Sequence, residues 1–127
     1  MDDIKIAYVV PSLKPCGPTT QLYNLIRHID KTLFQVNLIS LSSEIPNSER
    51  SLFKKHVARL HTIGLNRLTG LFFAKSELTR IISSIDPDII HTQGLRADNF
   101  CSRLKNFPIR ISTQRNSPFV DYPMLYG

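Results

Sequence analysis

Ile4, Ile6, Ala7, Tyr8, Val9 and Val10 form a short, nearly continuous apolar run. Such a run predicts a strand buried on both faces. Residues 11–17 break it with prolines and a glycine, and Leu22, Leu25, Ile26 and Ile29 then recur at helical spacing. Val36, Leu38, Ile39 and Leu41 predict a second strand over 34–41, followed by a loop over 42–50 rich in serine, with Pro46 and Asn47. Phe53, Val57 and Leu60 share one face of a predicted helix over 51–60, with Lys54, Lys55, His56 and Arg59 around the rest. Residues 60–65 read as a third short strand. Leu71, Ala74, Leu78, Ile81, Ile82 and Ile85 make one stripe of a helix over 69–85. Asp86-Pro87 ends that helix, because the residue before a proline avoids the α region. A fourth strand over 89–92, a helix over 97–104 and a fifth strand over 109–113 complete the pattern.

Strands alternating with helices predict an α/β fold: a doubly wound, Rossmann-like parallel sheet with right-handed crossovers. The carboxyl ends of the strands then share one edge, where such folds place their ligand crevice. Residues 11–20, 42–48, 92–98 and 114–117 gather there.

At 127 residues the chain has room for one domain. Its 42% hydrophobic and 20% charged content is that of a globular protein. The 16 Lys and Arg against 10 Asp and Glu give a net charge of +6. That favours anionic partners: phosphates, nucleic acid or an anionic membrane face. The basic residues are scattered, which argues against nucleic acid; a solvated surface with a modest excess of charge explains the same numbers. Cys16 and Cys101 lie far apart without metal-type spacing, so a reducing compartment fits better than a disulfide framework. The acidic start runs straight into a strand, unlike a signal peptide. No apolar run approaches the roughly 20 residues that span a bilayer. A cytoplasmic chain is expected, touching a membrane at most from its surface. Residues 117–127 carry Pro118, Pro123 and three aromatics without periodicity, and no helix follows the fifth strand. A truncated chain is therefore expected.

The first loop lacks the three spaced glycines of a dinucleotide fingerprint. Its prolines carry no backbone N–H, so it makes a poor cradle for a pyrophosphate. The start of the first helix remains. Either the amides of Thr19, Thr20 and Gln21 face an anion at the positive end of the dipole, or Gly17 and Thr19 only cap the helix. Without a Gly-Lys-Ser/Thr motif, nucleotide hydrolysis is not expected. In 88–94, His91 falls at the carboxyl end of a buried strand near Gly94, a residue that lets a ligand approach; a core histidine bonded to backbone is the alternative. His28, His56 and His61 lack ligand spacing and are expected at the surface. Arg115 is either a bidentate clamp for phosphate or carboxylate or an ordinary exposed arginine. Glu44, Glu49 and Asp98 fall near the same rim without forming an acid–base pair. No serine or cysteine nucleophile has partners, and Cys16 is read as incidental. The basic helix over 51–60 suits either an anionic bilayer, assisted by Phe72 and Phe73, or ordinary packing against the protein.

Three places together resemble the front of a family 4 glycosyltransferase, whose GT-B architecture sets two Rossmann-like domains across a cleft. Residues 5–13, then Cys16-Gly-Pro-Thr19 and Tyr23-Asn-Leu25, resemble the family's strand, Gly-Gly-x-Glu loop and first helix. Residues 86–94 resemble its Pro-Asp-hydrophobic-hydrophobic-His-x-His-Gly strand end. Ser112-Thr113 with Arg115 two places on, then Asp121-Tyr122-Pro123, resemble members that build capsules and lipopolysaccharide. The likeness covers nearly the whole chain. Cys16 stands for the first glycine, Thr19 for the glutamate and Gln93 for the second histidine. A glutamine can orient a hydroxyl but cannot act as a base.

The resemblance implies retaining transfer of a sugar from a nucleotide-sugar to a polysaccharide or lipid-linked acceptor. It implies no cofactor beyond that co-substrate, and no metal. Residues 1–127 would be an incomplete acceptor-side domain, lacking the nucleotide-sugar domain and inactive alone. His91 would be the catalytic residue, hydrogen-bonding beside the donor sugar. Gly17, Thr19, Gln93, Arg115 and Asn116 would bind substrate, with Arg115 and the first helix's N-terminus offsetting a leaving diphosphate. A non-enzymatic, flavodoxin-like module that binds a small anion is the alternative.

Overall fold

The computed structural model describes residues 3–43, 45–65, 71–102, 104 and 109–113. Among these, five strands alternate with four helices: β1 (Ile4–Val10), α1 (Gly17–His28), β2 (Phe34–Ser42), α2 (Arg50–Lys54), β3 (Arg59–Leu65), α3 (Leu71–Ile85), β4 (Ile89–Gln93), α4 (Leu95–Ser102) and β5 (Ile109–Thr113). The strands form one sheet of order β3-β2-β1-β4-β5, and every pairing is parallel. Ile6, Tyr8 and Val10 join Leu22, Ile26, Leu38 and Phe53 on one face. Val9 joins Ile39, Leu78, Ile82, Ile90 and Ala97 on the other. Neighbouring side chains of β1 thus enter two separate cores, which is why the strand reads as a continuous apolar run. Apolar cores on both faces of a parallel sheet make this the predicted Rossmann-like α/β fold.

Local differences from the sequence pattern have local causes. α2 ends at Lys54, not at residue 60. The His56 amide donates to Phe53 O at 2.9 Å, and the Ala58 amide to Val36 O at 2.8 Å, which draws the chain into the sheet. Val57 and Leu60 still pack on the core that holds Phe53, from outside the helix. Phe53 is fully buried, so α2 commits its main apolar side chain to the protein interior and not to a bilayer. In α1 the buried positions are Thr19, Leu22 and Ile26, while Leu25 is exposed. α4 starts earlier than predicted, directly after Gly94, whose φ is +84°.

Asp86 and Asp88 have structural tasks. Asp86 takes a left-handed φ of +52° just past α3, and its amide donates to Ile82 O at 2.9 Å. Pro87 follows, so a left-handed residue and a proline together stop the helix. The Asp88 carboxylate accepts the Lys5 amide at 2.9 Å, while the Asp88 amide donates to Lys5 O at 2.8 Å. This double clamp sets β4 beside β1.

The β4–β5 end of one sheet face lies open. Ile109 and Ile111 are 53% and 43% exposed. Their register partners are Ile89 and His91. No helix among the described residues is long and apolar enough to cross a membrane.

Candidate functional site at the carboxyl edge of the sheet

The strand order reverses between β1 and β4, where open α/β sheets hold their ligands. The loop after β1 is fixed from the β2 side: the Ser42 amide donates to Pro11 O at 2.9 Å and the Glu49 amide to Leu13 O at 2.8 Å. On the β4 side, a Cβ placed on Gly94 would lie 3.2 Å from Pro11 Cγ. Gly94 therefore packs closely on Pro11, where any side chain would be crowded.

The start of α1 is arranged differently from the expectation. Its N-cap is Cys16, extended and without a side-chain capping bond. The Thr20 amide is already spent on Cys16 O at 3.0 Å. The helical ladder begins there, so the amides without a helical acceptor belong to Gly17 and Thr19, Pro18 having none. Thr19 is buried as a whole residue, 5% exposed, with its hydroxyl 3.2 Å from Cys16 Sγ. Gly17 is exposed, and a Cβ there would touch nothing within 4 Å.

His91 sits third in β4 and is half-buried. Its ring stacks on Tyr8 with centroids 4.8 Å apart and planes inclined by 29°. Its Nε2 lies 2.5 Å from Thr113 Oγ1, leaving Nδ1 as the ring's second polar atom. Burial holds the imidazole below the ordinary value of 6.5, so it is neutral at pH 7. Gln93, buried, ends the same strand on the same face, opposite Thr113. Arg115, Asn116 and Glu44 lie outside the described residues.

Asp98, expected near the rim, accepts the Thr92 hydroxyl and the Ser112 hydroxyl, the latter at 2.8 Å. It ties the first turn of α4 to β4 and β5. His61 is not a surface residue. It is half-buried in β3, its Nε2 has no hydrogen-bond partner among the described residues, and burial first, then nearby arginines, keep it below 6.5. Cys101 is buried and its thiol is pushed up to about 12 by desolvation, which leaves it inert. Among the described residues, no group of His, Cys, Asp or Glu could hold a metal ion.

Sequence reasoning missed Arg96 and a serine-rich cavity. Arg96 Nη1 donates to Ser42 Oγ at 2.9 Å, linking α4 to the end of β2. Ser12, Leu13, Lys14, Ser40, Ser42, Ser43, Ile45 and Ser48 line a cavity of about 250 Å³ beside it. The available signal was the serine content at the end of β2 and in the loops after β1 and β2.

No protein-family model matches the sequence, and no curated protein matches it. Solved structures do. A mutant O-GlcNAc transferase of Thermobaculum terrenum superposes with a TM-score of 0.65 and 18% identity, covering 87% of this chain and 20% of that one. This chain thus spans about a fifth of that transferase. The C-terminal domain of the PF1911 hydrogenase of Pyrococcus furiosus matches with a TM-score of 0.49 and 12% identity, covering 89% of this chain and 94% of that one.

Proposed function

We propose that this chain is the acceptor-side, N-terminal domain of a glycosyltransferase of GT-B architecture, moving a sugar from a nucleotide-sugar to a polysaccharide or lipid-linked acceptor with retention. The observation that carries the reading is the fold match, over 87% of the chain, to part of an O-GlcNAc transferase. The motifs that resemble family 4 enzymes support it, because the described loop over 11–16 and the strand end over 91–94 fall at the carboxyl edge of the same sheet. In this reading a second α/β domain, beyond residues 1–127, contributes most of the nucleotide site.

The residue roles in this reading are those the resemblance implies. His91, neutral and stacked on Tyr8, offers Nδ1 as a hydrogen-bonding atom to the donor sugar. It is not a strong base in that state. Gln93 orients a substrate hydroxyl. The amides of Gly17 and Thr19 at the start of α1 and the side chains of Arg115 and Asn116 bind substrate in this reading and offset the leaving diphosphate, as fixed donors stabilise developing charge. The enzyme works at the cytoplasmic side of a membrane; its basic charge and exposed Phe73 support a peripheral contact with anionic lipid.

Transfer of radiolabelled sugar by the full-length gene product tests the reading. His91→Ala is expected to lower turnover about 100-fold, the effect of removing one fixed donor, with an unchanged circular dichroism spectrum. Unchanged turnover would remove His91 from the site. A coding sequence that stops at Gly127 would overturn the two-domain reading in favour of a small binding module.

A further inference from the structure

We infer that the cavity between the loops after β1 and β2 binds a monosaccharide carrying a phosphate. As the acceptor's recognition site, it rests on the glycosyl-transfer reading; as a binding site, it stands on its own lining.

Ser12, Ser40, Ser42, Ser43 and Ser48 line one cavity, and the Ser48 hydroxyl also accepts the Arg50 amide. Each serine can donate one hydrogen bond and accept others, which suits a ring bearing several hydroxyls. Ser42 is already polarised. Its oxygen accepts from Arg96, which leaves its own proton free to donate. Leu13 and Ile45 add apolar surface for the C–H face of a sugar ring. Lys14 lines the same cavity from an exposed position. An ammonium on a flexible stem is a point charge able to follow a phosphate. Arg96 supplies a second cation next to it.

Size selects among sugar ligands. Sites for drug-sized molecules occupy roughly 300–1,000 Å³, and this cavity holds about 250 Å³. It admits one sugar unit with its phosphate and not a whole nucleotide-sugar. Its position agrees: it opens on the β2 side of the switch point, whereas His91 and Gln93 lie on β4. The walls are held in place, because the Pro11 and Leu13 carbonyls accept the Ser42 and Glu49 amides. A site clamped by backbone bonds needs little ordering when a ligand arrives.

Amide NMR titration of the 127-residue chain with glucose 1-phosphate, glucose and inorganic phosphate tests the inference. Glucose 1-phosphate should give saturable shifts centred on residues 12–14 and 40–48, with at least tenfold higher affinity than either fragment. Lys14→Gln, a change at an exposed position, should weaken the ester at least tenfold and leave glucose unaffected. Three results would overturn the site: no shifts at these residues, equal affinity for phosphate alone, or wild-type binding by Lys14→Gln. Binding is read without turnover. Transfer without cavity binding removes this site and keeps the glycosyltransferase; cavity binding by a full-length product that never transfers does the reverse.

Discussion

At His91 the chemistry of the side chain is set by its row in the sheet. Tyr8 lies opposite it in register and covers one face of the ring, and Thr113 takes Nε2. Burial then favours the uncharged imidazole. His61 shares the trait for the same first reason. In the unfolded chain both side chains return to about 6.5 and take up protons that the folded chain refuses. Their contribution to stability is complete above pH 6.5 and falls as pH drops toward the folded midpoints. Urea titrations from pH 7.5 to 5.5 should show the midpoint declining, and more shallowly in His91→Gln; NMR should place both ring titrations below 6.5. Gly94 and Gly17 separate two uses of glycine. Gly94→Ala must hold a left-handed backbone against Pro11 and should lose about 1–2 kcal/mol. Gly17→Ala has open space beyond its chain neighbours, but its Cβ would sit on a helical residue just ahead of Pro18, which offsets the helix propensity gained, so the change should be smaller than at Gly94. Urea denaturation of the two variants checks that order.

Among the elements, α2 depends most on its neighbours. With five residues it is far too short to persist alone. Phe53 holds it to the sheet and meets the Tyr23 ring edge-on, with centroids 5.6 Å apart. Phe53→Ala should cost about 3–5 kcal/mol, measured by chemical denaturation, and should loosen the loop that donates the Glu49 amide. α2 was also the element least legible in the sequence. Phe53, Val57 and Leu60 repeat like a helix because all three reach one core, although Leu60 belongs to a strand. By contrast, β1, β2, β4 and α3 were legible, because their apolar positions belong to single elements with one period each. The start of α4 was missed because Gly94, and not the apolar pattern, sets it.

Over the whole molecule, the sheet edge was legible and its contents only partly so. A fold of alternating strands and helices fixes which loops meet, so residues 11–20 and 92–98 were placed at one edge from pattern alone. Which side chains are free there depends on partners far along the chain. Asp98 is occupied by Thr92 and Ser112, and Arg96 reaches Ser42 across 54 positions. No single element's pattern carries those pairings, which is why the serine cavity and the partners of Asp98 went unseen.

The Lys5–Asp88 clamp joins residues 83 positions apart, and it has a consequence for how the protein is made. β1 leaves the ribosome first, yet it is the middle strand of the sheet. Its β2 edge is satisfied early. Its β4 edge waits for a partner that is translated about 4 to 17 s later, at roughly 5–20 residues per second. During that interval a newborn chain presents an apolar strand with an open edge to every other chain nearby. Asp88, by capturing the Lys5 backbone just ahead of β4, is positioned to close that interval as soon as it emerges. The clamp thus bears on how long the β4 edge of β1 stays unpaired.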